Sequence, residues 1–110
     1  MNIRDWIYVD DHCSGIYAVI TKGRIGETYL IGTRNERTNL EVIKLILSKL
    51  RKSENLIEFV EDRKGHDYRY SLDPSKIERE LGWKPSYDFL EGISITINYY
   101  REKFMNAVNW

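Results

Sequence analysis

Residues 28–50 read TYLIGTRNERTNLEVIKLILSKL, and this stretch decides the fold class. It opens with a short apolar run at residues 28–31, which predicts a strand buried on both faces. A glycine and a polar loop follow, and residues 38–50 then predict the clearest helix of the chain, because Thr38 and Glu41 have capping-box spacing. The apolar face of this helix holds Leu40, Ile43, Leu47 and Leu50. A strand, a loop and a helix in this order predict an α/β fold.

The segments on either side continue the alternation. Residues 6–9 and residues 57–60 are β-branched and aromatic runs. The first predicts a strand or an extended entry segment, and the second predicts a strand. A helix is expected after residues 6–9, with Asp10 or Asp11 as the N-cap and its end at Gly23. The spacing i, i+3, i+4, i+7 predicts that its inward, apolar face consists of Cys13, Ile16, Tyr17 and Ile20.

Two more helices are predicted in the last third of the chain. Asp73 is the expected N-cap of a short helix that ends at Gly82. Asp88 and Glu91 lie three residues apart at the start of a long last helix. Because no linker, repeat or low-complexity tract interrupts this order, we expect a single domain over residues 1–110.

Composition excludes several classes of protein. Seventeen basic residues balance seventeen acidic ones, so the electrostatic drive for nucleic-acid binding is weak. No apolar stretch approaches the length of a membrane span, and no signal-peptide pattern is present. The single cysteine, Cys13, has no partner for an internal disulfide. We therefore expect a cytoplasmic protein that binds neither nucleic acid nor membrane.

Two polar positions beside predicted elements are candidates for anion binding. Arg4 precedes the first predicted strand, and its guanidinium can fork onto a phosphate or carboxylate. The alternative is a pair with Asp5 or a solvated side chain. Asn39 lies where a loop enters the strongest helix, a place where α/β proteins often bind phosphate. There the alternative is that Thr38 or Asn39 only caps the helix.

The third candidate is the charged decapeptide EDRKGHDYRY at residues 61–70. It directly follows a predicted strand, where ligand sites of α/β proteins cluster. His66 within it is able to donate a hydrogen bond or to titrate near neutral pH. A solvated charged loop is the competing interpretation, although interleaved tyrosines are more typical of a cleft wall.

Catalytic and metal signals are weak in these residues. His12 and Cys13 diverge on a helix and have no further ligands at metal-binding spacing, so no metal site is predicted. Cys13 lies on the apolar stripe and is interpreted as a small core residue. No pair among the 17 carboxylates indicates an acid/base couple, and no catalytic residue is assigned.

Taken together, the motifs of the chain resemble those of dTDP-glucose 4,6-dehydratases, which belong to the extended short-chain dehydrogenase/reductase superfamily. The resemblance is collinear and spans nearly the whole chain. It rests on RDWIYVDDH at residues 4–12, GETYLIG at 26–32, DRKGHD at 62–67 and ELGWKP at 80–85. The fold implied is the small C-terminal substrate-binding domain, without the Rossmann domain. UDP-sugar epimerases and decarboxylases share the plan and stay an alternative, as does a non-catalytic nucleotide-sugar-binding or assembly module.

The resemblance also implies roles for individual side chains. Arg4 and Asn39 would contact the diphosphate of a dTDP-glucose-like nucleotide sugar. Asp62, Arg63 and His66 would lie in the loop that closes over the nucleotide end of that substrate. The family's proline in this loop is replaced by lysine at position 64.

The family's NAD fingerprint, its Tyr-x-x-x-Lys pair and its acid/base pair belong upstream of Arg4. We therefore expect this chain to bind no cofactor, while the complete family enzyme uses NAD. Tyr99-x-x-x-Lys103 has the right spacing but is interpreted as a surface pair on a helix. A separate N-terminal half is a candidate partner. In the family, residues 28–31 join the large dinucleotide-binding sheet, so an unpaired apolar edge and a homo-oligomer are expected here.

Overall fold

Strands and helices alternate along the chain in a computed structural model that describes residues 2–65 and 67–105. The elements in chain order are β1 (Ile3–Asp5), α1 (Val9–Lys22), β2 (Glu36–Thr38), α2 (Asn39–Leu50), a 3₁₀ helix (Glu54–Leu56), β3 (Arg69–Tyr70), α3 (Ser75–Leu81) and α4 (Phe89–Met105). The fold is therefore mixed α/β, as predicted.

β1 is the central strand of the sheet, whose order is β2-β1-β3. It runs antiparallel to β2, with Arg4 opposite Arg37, and parallel to β3, with Arg4 opposite Tyr70. A strand hydrogen-bonded on both sides is held at both edges, and this fixes the backbone on either side of Arg4.

The local signals for α2, for the start of α4 and for the end of α3 were correct, but the predicted N-cap of α3 was wrong. Pro74 is the N-cap, and Asp73 Oδ1 instead accepts from the Ser75 N–H at 3.0 Å. Thr38 caps α2 with the reciprocal capping box predicted from Glu41. At the start of α4, the Glu91 N–H donates to Asp88 Oδ1 at 2.8 Å, and the Asp88 N–H faces Glu91 Oε1 at 3.4 Å. Gly82 ends α3 with a φ of 68°, a left-handed conformation that glycine adopts without steric cost.

Two predicted strands were wrong, and a third stretch is an entry segment. Residues 6–8 lie between β1 and α1, where Tyr8 has extended backbone, and so fit the extended entry segment that was the alternative to a strand. Residues 28–31 and 57–60 form no strand in the part of the chain that the structure describes. A run of β-branched and aromatic residues indicates side chains that favour burial. A strand also needs a neighbouring strand to which its backbone can hydrogen-bond, and composition does not supply that information.

The core lies between α1 and α3. Ile77, Leu81 and Trp83 are buried, and Ala18 and Val19 of α1 pack against them. The inward face of α1 is therefore not the predicted one. Cys13, Ile16, Tyr17 and Ile20 are exposed, because the small and polar side of the helix faces α3.

Candidate functional site

Arg4 occupies the middle of the central strand. Its Nη1 donates to the Ile3 carbonyl at 2.8 Å, and its side chain is half-buried. It lines a cavity of about 180 Å³ together with Gly32, Tyr70 and Leu72. The sheet therefore holds this guanidinium at the wall of a small cavity instead of on a loose N-terminal arm.

Asn39 is the first residue of α2, and Thr38 is the N-cap. Of the two residues named as possible caps, Thr38 is therefore the one that caps the helix. The backbone N–H of Asn39 donates to the Asn2 carbonyl at 3.1 Å, and the N–H of Glu41 donates to Thr38 Oγ1 at 3.1 Å. Since these two donors are bonded within the chain, any ligand contact by Asn39 would come from its side-chain amide.

Asp62 lies beside the start of β1. Asn2 Nδ2 is 3.2 Å from both carboxylate oxygens of Asp62 and donates to them. The neighbouring Ile3 N–H donates to the Tyr68 carbonyl at 2.8 Å, so the charged segment runs along the strand. Arg63 is exposed next to Asp62.

Asn2 thus joins two of the predicted site residues. Its carbonyl accepts from Asn39 and its amide donates to Asp62, while Arg4 follows two residues later. Asn39 and Asp62, far apart in sequence, are both bonded to Asn2, two residues before Arg4, while the cavity beside Arg4 is lined by neither of them. His66 lies outside the described residues.

A charged clamp crosses the same sheet. Arg69 of β3 donates from Nε and Nη2 to Glu36 of β2, at 2.8 and 2.7 Å. The hydrogen bond from Arg69 lowers the pKa of Glu36 below its usual range, with a further contribution from Ser71. Paired donation of this kind fixes the orientation of both partners. No spacing in the sequence signalled this pair, because its members are 33 residues apart.

Sequence reasoning also missed the use of two aspartates. Asp5 accepts from the Thr33 N–H at 3.1 Å, from Thr33 Oγ1 at 2.7 Å and from the Asn35 N–H at 3.1 Å. Asp11 is 2% exposed and accepts from the backbone N–H groups of Ser86 and Tyr87 at 2.8 and 3.2 Å. The prediction that Asp11 caps α1 was therefore wrong, since Tyr8 occupies the N-cap.

A larger cavity, of about 210 Å³, lies between α2 and α4 and is mostly apolar. Val42, Ile46, Phe89 and Ile93 contribute to its walls, and none of the predicted site residues does. The smaller cavity is lined by the guanidinium of Arg4 and by the carboxylate of Asp5, whereas no basic side chain lines the larger one, so a phosphate-binding group is available only in the smaller of these two cavities.

Other signals from the sequence have modest structural counterparts. Lys103 Nζ lies 5.8 Å from the centre of the Tyr99 ring, one turn away on α4. Within residues 2–65 and 67–105, no three His, Cys, Asp or Glu side chains are grouped to hold a metal ion. None of the described helices has the length and apolar character needed to cross a membrane.

The sequence and the fold of this chain are similar to those of the same known proteins. A sequence model of the GDP-mannose 4,6 dehydratase family matches residues 1–96. A dTDP-glucose 4,6-dehydratase of Escherichia coli is 49% identical over 119 residues, which cover 98% of this chain and 32% of that protein. The corresponding enzyme of Haemophilus influenzae is 50% identical over 109 residues, covering 89% and 32%. The chain spans about a third of the length of these curated relatives.

Solved structures agree with the sequence matches. DesIV, a dTDP-glucose 4,6-dehydratase from Streptomyces venezuelae with NAD and TYD bound, is 48% identical with a TM-score of 0.89. The match covers 94% of this chain and 32% of DesIV. A UDP-glucose 4-epimerase from Thermotoga maritima, with UDP-glucose, is 29% identical with a TM-score of 0.82, covering 94% and 33%.

Proposed function

The chain belongs to the GDP-mannose 4,6 dehydratase family, and from that premise we propose that it is the C-terminal, nucleotide-sugar-binding part of a dTDP-glucose 4,6-dehydratase-like enzyme. The ligand we propose is a dTDP-glucose-like nucleotide diphosphate sugar. The contribution of this chain is grip and orientation of the nucleotide end, while the redox and acid/base groups lie elsewhere.

The observation that carries the proposal is the arrangement around Asn2. This residue bonds both to Asn39 and to Asp62, and Arg4 follows on the same chain segment beside a cavity. A guanidinium supplies paired donors for phosphate oxygens, and an amide N–H group adds a third. Asp62 and Arg63, with His66, are proposed to cover the nucleotide.

Two nucleotides compete for this site. The 48% identity to DesIV, which was crystallised with TYD, supports a dTDP-linked sugar. The Thermotoga epimerase, solved with UDP-glucose, is 29% identical and supports the alternative of a UDP-sugar epimerase or decarboxylase. We propose the dTDP side because dTDP-glucose 4,6-dehydratases are 45–51% identical to this chain, against 29% for the epimerase.

We further propose that the isolated chain is inactive and does not bind NAD, and that it works with a separate N-terminal half. The exposed apolar stripe of α1 supports a covering partner, since Tyr17 and Ile20 are 69% and 76% exposed. The same surface supports self-association when no other partner is present. A cytoplasmic location stays a prediction.

The test of ligand binding is a calorimetric titration of the pure chain with dTDP and with UDP. We expect binding of dTDP that is tighter than that of UDP, and a loss of about tenfold or more in Arg4→Ala, because a charge-assisted phosphate contact disappears. Arg79→Ala is the matched control, since Arg79 is an exposed arginine on α3. Equal affinity in the two variants, or no binding of dTDP by the wild type, overturns the proposal.

The test of inactivity is an assay of the pure chain for a 4-keto-6-deoxy product from dTDP-glucose with added NAD. We expect none, and we expect no change in NAD fluorescence or calorimetric heat on mixing. Product formation by the 110-residue chain contradicts the assignment of catalysis to the other half.

A further inference from the structure

The loop between residues 31 and 36 is built around one carboxylate. Asp5 Oδ1 accepts from Thr33 Oγ1 at 2.7 Å and from the Asn35 N–H at 3.1 Å, while Oδ2 accepts from the Thr33 N–H at 3.1 Å. Thr33 Oγ1 also lies 2.6 Å from the Trp6 carbonyl, and the Trp6 N–H donates to the Asn35 carbonyl at 3.1 Å. Hydrogen bonds therefore run from the loop to the end of β1 and also from the end of β1 to the loop.

The N–H groups on either side of Arg34 both donate to Asp5. Arg34, between the two bonded residues, has a φ of 57°, a left-handed conformation that is costly for a residue with a side chain. The N–H groups on both sides of such a residue point to the same place and form a concave anion-binding nest. Asp5 fills that nest, so its charge stabilises the backbone conformation of Arg34.

The same carboxylate restricts the start of the loop. A Cβ added at Gly32 would lie 2.7 Å from Asp5 Oδ2, closer than real Cβ atoms approach a neighbour. The loop is also tied outward, since Arg34 donates to Glu78 of α3 at 2.5 Å. The loop from Gly32 to Asn35 is thus held by Asp5 on one side and by Glu78 on the other.

The loop leads directly into the proposed ligand site. After Asn35 the chain forms β2 and then α2, whose first residue is Asn39. Arg4 is covalently adjacent to Asp5. This carboxylate therefore ties the end of the strand that carries Arg4 to the loop that leads into β2 and α2, beside the direct pairing of β1 with β2.

We propose that Asp5 is a positioning residue for the nucleotide diphosphate, an inference that rests on the proposed function. Asp5 also lines the cavity beside Arg4, and its carboxylate accepts hydrogen bonds from Thr33 and Asn35. It holds the Thr33–Asn35 loop so that Arg4 and Asn39 are preorganised for the same diphosphate, which reduces the cost of ordering them on binding.

Asp11 provides a matched control within the same molecule. It too accepts two loop N–H groups, those of Ser86 and Tyr87. That loop leads into α4, which carries none of the proposed ligand residues. Asp5→Asn and Asp11→Asn thus make the same chemical change at two loop anchors, of which one leads to the site.

The experiment measures dTDP affinity by calorimetry and stability by urea unfolding for the wild type, Asp5→Asn and Asp11→Asn. We expect Asp5→Asn to raise the Kd for dTDP about tenfold, with displaced amide resonances of Thr33 and Asn35. Asp11→Asn is expected to lower stability at least as much while leaving the Kd within about twofold, because a structural loss away from the site does not alter the ligand contacts.

A second pair of variants keeps the test decisive if Asp5→Asn fails to fold. Thr33→Ser retains the hydroxyl that bonds Asp5 and should keep the wild-type Kd within about twofold. Thr33→Val removes it and should weaken dTDP binding several-fold, an effect that shape alone does not predict.

The outcomes separate the two proposals. A wild-type chain without dTDP affinity overturns the proposed function, and the positioning role with it. A wild-type chain that binds dTDP, with Asp5→Asn or Thr33→Val binding equally well, overturns the positioning role alone. So does an equal loss of affinity in Asp5→Asn and Asp11→Asn.

Discussion

On one face of α1, Asp11 and Gly15 are buried, whereas on the opposite face Ile16, Tyr17 and Ile20 are 42%, 69% and 76% exposed. The buried face holds small and polar residues that allow close approach of neighbouring segments. The exposed face holds the apolar residues that helical periodicity selects as a core. Helical periodicity therefore identified an apolar surface that favours burial, but it did not identify which segment or partner would cover that surface.

The largest expected effect comes from the contacts of the buried face. Ile77→Ala removes a fully buried side chain that packs near Ala18 and Val19, and it should lower the free energy of unfolding by about 2–5 kcal/mol. Ile20→Ala is the matched change on the exposed face, and its effect should stay within about 0.5 kcal/mol. Chemical denaturation of both variants measures the difference. Similar losses in the two would show that the exposed stripe is packed in solution.

A smaller effect is expected from crowding the buried face. A Cβ at Gly15 would lie 2.9 Å from Ile31 Cγ2 and 3.3 Å from Trp83 Cε2. Gly15→Val should therefore destabilise the chain by about 1–3 kcal/mol through overpacking. Cys13→Val, on the exposed side, is the control and should be nearly neutral. Thermal unfolding followed by circular dichroism compares them, and a stabilised Gly15→Val would contradict the close packing.

The exposed face should affect association more than stability. Tyr17→Ser combined with Ile20→Ser removes apolar area from the stripe and should change the unfolding free energy by no more than about 1 kcal/mol, two ordinary surface effects. We expect this variant to self-associate less than the wild type in sedimentation velocity. Asp10→Ser combined with Lys22→Ser is a control of equal size on the same helix. A monodisperse wild-type monomer at high concentration would rule out this use of the surface.

How far the sequence predicted the fold depended on the range of the interactions. α2 was predicted within one residue because Thr38, Glu41 and the apolar spacing are all local. Residues 28–31 and 57–60 were predicted as strands and are not, because a strand depends on a partner that local composition does not specify. Phe59 and Val60 are in fact 76% and 80% exposed.

Prediction of the candidate site was limited in the same way, because it depends on contacts between residues far apart in the sequence. Arg4, Asn39 and the charged segment that holds Asp62 were singled out from their residue types and positions, and the family resemblance gave them roles that stay predictions. In the structure Asn39 and Asp62 are both bonded to Asn2, two residues before Arg4. The positions that organise this region were missed. Asp5 bonds to residues 28 and 30 positions away, and the sequence contains no periodic or motif signal for such contacts.

Lowering the pH is expected to destabilise the sheet, and this is the smallest of the predicted effects. The pKa of Glu36 is lowered by hydrogen bonds from Arg69 and Ser71, and that of Glu78 is lowered by the hydrogen bond from Arg34. Because these folded-state pKa values lie below the unfolded ones, their stabilisation is complete above the unfolded pKa of about 4.3 and is lost as the pH falls through the folded values.

Glu36→Gln should therefore flatten the decline of stability between about pH 5 and pH 3, as followed by urea unfolding at several pH values. Glu58→Gln removes a carboxylate from an exposed extended segment and serves as the control. The apolar stripe of α1 contains no pair of a carboxylate and a guanidinium like that of Glu36 and Arg69. Self-association through this stripe should therefore depend less on pH. An unchanged slope in Glu36→Gln would show that the clamp with Arg69 does not persist in solution.

The position of β1 has a consequence for synthesis. This strand is the first of the three to be made, yet it lies between β2 and β3 and pairs with residues 36–38 and 69–70. The sheet therefore lacks its last strand until residues 69–70 have left the ribosome. Until then, one side of β1 has no partner strand, and unpaired strand edges make a folding chain prone to aggregate.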